Sequence, residues 1–131
     1  MPASYVIDKQ RRLVVTTGTG VVTFEECKQH QDRLLDDPEF DSTFNQLMDF
    51  SNASSVRLNE SHVRFLVVRH VFTKPSRRAI VSTDPQLLDL MRNAAELRKQ
   101  FFGGENVQFF SSREDALRWL SEQNVGDGSG S

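Results

Sequence analysis

Hydrophobic positions recur along this chain in two rhythms. Short runs rich in β-branched and aromatic residues read as strands: Tyr5-Val6-Ile7, Leu13-Val14-Val15, Leu47-Met48 with Phe50, Ala79-Ile80-Val81, and Val107 with Phe109-Phe110. Between them lie longer stretches in which apolar residues return every three or four positions, the period of a helix with one buried face. The first two runs flank a polar turn, Asp8 to Arg12, and predict a β-hairpin. The second run continues through Thr16 and Thr17 to Gly18-Thr19-Gly20, where glycine supports a turn.

Helix punctuation fills in the rest. Thr23 followed three residues later by Glu26 is a capping box, opening a helix to about Leu35. Phe24, Cys27, Gln31, Leu34 and Leu35 form its apolar stripe, and Asp36-Asp37-Pro38 ends it. A polar loop is expected from Ser51 to Ser55, then a helix from Asn59 to Phe72 with Glu60 at the positive end of its dipole. Asp84-Pro85 starts another helix, with Asp as cap and Pro in the first helical position. Its apolar face is Leu87, Leu88, Met91, Ala94, Ala95 and Leu97, and it frays near Phe102 before Gly103-Gly104. Ser111 with Glu114 is a second capping box, and the closing helix sets Ala116, Leu117, Trp119 and Leu120 against the body. The order is β-β-α-β-α-β-α-β-α. It predicts an α/β fold with a single mixed sheet of about five strands and four helices, parallel except at the opening hairpin.

Composition narrows the class. The chain has 131 residues, and 18 acidic against 16 basic side chains leave a net charge of −2, which argues against a basic nucleic-acid binder. One domain over 1–125 is expected, with a flexible Gly/Ser tail over 126–131. A lone cysteine, Cys27, permits no internal disulfide and no cysteine-only metal cluster. No apolar run reaches bilayer-spanning length, so no stable membrane insertion is expected, and no secretory signal is visible; a reducing, cytoplasmic setting is the simplest reading.

Several segments, in their order and spacing, resemble the STAS-like superfamily, the fold of anti-sigma-factor antagonists, and within it a loosely defined bacterial branch. They are Gly20 with Val21-Val22-Thr23-Phe24-Glu25-Glu26, then Asp37-Pro38-Glu39-Phe40, Leu47-Met48-Asp49-Phe50-Ser51, Arg78-Ala79-Ile80-Val81, Val107-Gln108-Phe109-Phe110, and Ala116 with Trp119-Leu120. The resemblance covers nearly the whole domain. It implies a small α/β binding or regulatory module and not an enzyme. One departure matters. Phospho-switched antagonists carry an Asp-Ser-Ser/Thr-Gly motif at the helix after the central strand, and here that place falls near Arg57-Leu58-Asn59-Glu60, none of which is phosphorylatable. Ser54, Ser55 and Ser61 lie nearby without the surrounding pattern, so no phosphorylation switch is carried over.

The helix from Asn59 to Phe72 holds more apolar surface than one face needs. Val63, Leu66, Val67 and Val71 form one stripe, and Phe65, Val68 and Phe72 another nearly opposite. The second stripe must meet a neighbouring helix, a second copy of the chain as a homodimer, another protein partner, or a small apolar or anionic ligand such as a lipid. Arg69, Lys74 and Arg78 fringe it, within a basic segment that includes His70 and Arg77 and reads either as a solvated loop or as an anion contact. Asp49, Ser51 and Asp84 lie at strand ends, where α/β sheets gather ligands, with turn and cap roles as the simpler alternative. Cys27 and His30 have the spacing of two metal ligands on one helix, but nothing supplies the remaining ligands; a buried cysteine is the plainer reading, and no metal or other cofactor is expected. No phosphate loop, nucleophile elbow or His-Glu-x-x-His pattern is present.

Overall fold

The computed structural model describes residues 3–69, 71–73, 75–102 and 106–129. In chain order the elements are β1 (Ala3–Asp8), β2 (Leu13–Thr23), α1 (Phe24–Asp36), β3 (Asn45–Arg57), α2 (Glu60–Val68), β4 (Arg77–Val81), α3 (Pro85–Phe102), β5 (Asn106–Phe110) and α4 (Arg113–Ser129). This is the expected order, and α4 takes in residues 126–129 of the glycine-serine segment. The sheet runs β1-β2-β3-β4-β5. The hairpin strands pair antiparallel, Val6 opposite Val15, and every later neighbour is parallel.

Strand order explains the layering. Each crossover from β2 to β5 moves one strand over in the same direction, and right-handed crossovers therefore place their helices on one face. On that face Leu34 of α1 packs with Val14, Phe44, Val71 and Phe72, and Leu87 of α3 packs with Val22, Phe50 and Ile80. The opposite face carries α4, whose Ala116 and Leu120 close on Leu13, Leu47, Ala79 and Val81. Strand alternation sends Leu47 to one core and Met48 to the other.

Four local expectations need correction. Gly18 to Gly20 is not a turn: β2 continues to Thr23 through two register shifts, one between Thr17 and Thr19 and one between Gly20 and Val21. A Cβ on Gly18 would stand 2.5 Å from Phe50 Cδ1, and Gly20 takes a left-handed φ of 62°, so glycine is required for packing at one position and for backbone at the other. Ser51 to Ser55 is not a loop but part of β3, which stays paired with β2 from Asn52 to Arg57. The helix after β3 stops at Val68 instead of Phe72; Arg69 caps it, and Val71 and Phe72 turn into the core beneath α1. Leu35, placed on the apolar stripe of α1, is 49% exposed, while His30 takes the buried position beside Leu34.

Two caps differ in detail. Thr23 accepts from the Glu26 amide at 3.3 Å, but the reciprocal half of the box is missing, and Glu26 Oε2 is buried without a hydrogen-bond partner. At α4 the cap is Ser112, one residue later than expected, accepting from the Asp115 amide at 3.3 Å. The Asp84 cap is as expected: its carboxylate accepts from the Gln86 amide at 3.0 Å.

Candidate functional site

The apolar surplus of α2 resolves into a seam between α1 and α2. Asn59 and His62 form a reciprocal cap, with the Asn59 amide donating to His62 Nδ1 and the His62 amide to Asn59 Oδ1. This fixes the imidazole flat against Phe24 of α1, with ring centres 4.5 Å apart. One turn later Phe65 meets the same Phe24 ring edge-on at 5.4 Å. Further along, Gln31 donates to the Leu66 carbonyl at 3.1 Å, and Arg69 bonds both Gln31 and Asp32, the latter at 2.6 Å. The Arg69 guanidinium also stands over Phe65 at 5.7 Å. Its hydrogen bond, with Lys28 beside it, holds the Asp32 carboxyl below the usual carboxylate range.

Phe65 nevertheless remains 42% exposed. Helix geometry puts Leu35, also exposed, on the line of α1 that carries Phe24, Lys28 and Gln31. The rim carries both signs of charge, in the Lys28–Asp32, Arg69–Asp32 and Arg64–Glu60 pairs. The seam is thus a partly covered aromatic ridge bordered by mixed charge.

Among the described residues, the other candidates are not gathered at this seam. Phe72 leaves the surface stripe and is buried against Phe40 and the core. The side chains of Val67, Val68, Met91, Ala94, Ala95 and Leu97, together with His70, Lys74 and Gly103-Gly104, lie outside the described residues. Arg77 and Arg78 belong to β4, so alternation sends them to opposite faces: Arg77 stacks over Trp119 of α4 at 4.9 Å, and Arg78 lies over Phe72 at 5.7 Å. The basic segment is therefore not a single loop patch.

Asp49 is buried within β3, where Arg113 of α4 reaches it at 2.8 Å and the Ser51 hydroxyl and amide both donate to it. Burial pushes its carboxyl upward, but the Ser51 donors and Arg113 outweigh that and hold it below the usual range. Asp49 and Ser51 are thus brought together, but inside β3 and not at the expected strand end, because pairing with β2 carries the strand on to Arg57; Asp84 is committed to capping α3. Sequence reasoning missed Arg113, 64 residues from its partner; the available signal was a cation in the first turn of a helix that returns beside the central strand.

Cys27 and His30 do not converge. Cys27 packs against the core cluster of Val22, Phe50, Ile80 and Leu87, and burial, with Glu26 nearby, pushes its thiol up to about 11. His30 lies on the buried face of α1, sharing a 3.0 Å hydrogen bond with the Thr16 hydroxyl, which also accepts from Gln46 at 2.9 Å. Burial, reinforced by Arg33, lowers its pKa to about 4. Among the described residues no group of three or more His, Cys, Asp or Glu is placed to hold a metal, and no helix is long and apolar enough to cross a membrane.

The sequence matches no protein-family model and no curated protein. Its fold is similar to that of a solved structure described as an uncharacterized protein from the DUF3478 family, with a SpoIIAA-like fold, from Shewanella loihica PV-4. The two superpose with a TM-score of 0.53 at 22% identity, over 90% of this chain and 93% of the other. Together with the five-stranded mixed sheet and its helices, this gives the chain a SpoIIAA-like, that is STAS-like, α/β fold.

Proposed function

We propose that this chain is a non-enzymatic regulatory or binding module of cytoplasmic type that acts through protein–protein association, and that it associates with a second copy of itself across the α1–α2 seam. The observation that carries the reading is Phe65: a large aromatic ring left 42% exposed although Phe24 and Arg69 brace it in one orientation. A pre-ordered aromatic loses little entropy when it is covered, which is why such residues dominate association energies. The mixed rim supports self-association, because a twofold rotation can set a cation of one copy against an anion of the other. The fold resemblance supports the wider class.

Sedimentation velocity at micromolar concentration tests it, using the wild type and Phe65→Asp with circular dichroism to verify that the variant stays folded. A dimer reduced to a folded monomer by the substitution is the expected result. A monomeric wild type, or a dimer indifferent to Phe65→Asp, overturns the self-association. Native mass spectrometry of the same preparation separates the small-ligand alternative, which requires a co-purified mass on the monomer.

A further inference from the structure

No further inference is drawn: the strongest candidate, the groove of ≈ 590 Å³ between α4 and the start of β2, floored by Leu13, Leu117 and Leu120 with Arg11 and Arg118 among its lining, has its Leu13 and Leu120 already buried, and nothing in the structure shows what covers it.

Discussion

The two faces of the sheet are built to different depths. Five strands about 4.8 Å apart span roughly 19 Å, whereas one helix covers only about 10 Å. On one face α1 and α3 pack on the strands and α2 touches both of those helices. On the other, α4 packs over β3, β4 and β5. The outward side of the hairpin is consequently thinly covered there, and Val6 of β1 is 68% exposed. Exposure on the two faces has different causes. Val6 is exposed because a single helix is narrower than the sheet. Phe65 is exposed on the crowded face, on a helix that already has neighbours, where its ring is held by Phe24 and Arg69. An exposed aromatic with a fixed orientation is the better candidate for a contact than an exposed valine at a sheet edge.

The contrast between faces can be challenged by substitution. Leu34 and Leu47 are both fully buried, one on the inner face of α1 and one under α4. Each Leu→Ala change is expected to cost about 3 kcal/mol in urea unfolding, because each empties a closed core. A much smaller loss at Leu47 would mean that α4 does not seal its face.

A second challenge uses acid. His30 is buried on the crowded face, with a folded pKa of about 4 against an ordinary value of 6.5. The unfolded chain therefore takes up the proton first, so the stability this group contributes is complete above about pH 6.5 and is lost as pH falls toward 4. The loss reaches at most about 3 kcal/mol. Measured unfolding free energies should decline over that window in the wild type and decline less in His30→Gln, and parallel pH profiles would refute the assignment.

The smallest effect is expected at the hairpin. Val6→Thr keeps the β-branched shape on a strand whose side chain meets mostly water, so stability should change by less than about 0.5 kcal/mol. A loss above about 1 kcal/mol would reveal a hidden partner for β1 and weaken the comparison.

The order of elements was legible because burial imposes period two on strands and period near four on helices, and caps mark where one gives way to the other. What was hidden depends on partners distant in sequence. Ser51 to Ser55 looks like a loop because its residues are small and polar, yet β2 supplies hydrogen bonds along that edge. Val71 and Phe72 continue the helical rhythm of α2, but the chain has already turned at Arg69, and the periodicity of core residues does not record the turn. The surplus on α2 was visible in sequence; that Phe24 and Arg69 brace Phe65 depends on how α1 lies beside it. Likewise Asp49 and Ser51 were legible as a polar pair but were read as a strand end, whereas β3 runs on to Arg57 and places both inside it; Arg113 meets Asp49 only once α4 has folded back over β3.

The most direct measurement is amide hydrogen exchange at two protein concentrations, nanomolar and micromolar. Association through the seam predicts that protection rises with concentration in α1 and α2, around Phe24 to Leu35 and Glu60 to Arg69, while β1 and the first turns of α4 stay unchanged. Exchange that does not depend on concentration, or protection gained over β1 and α4 instead, would contradict the account.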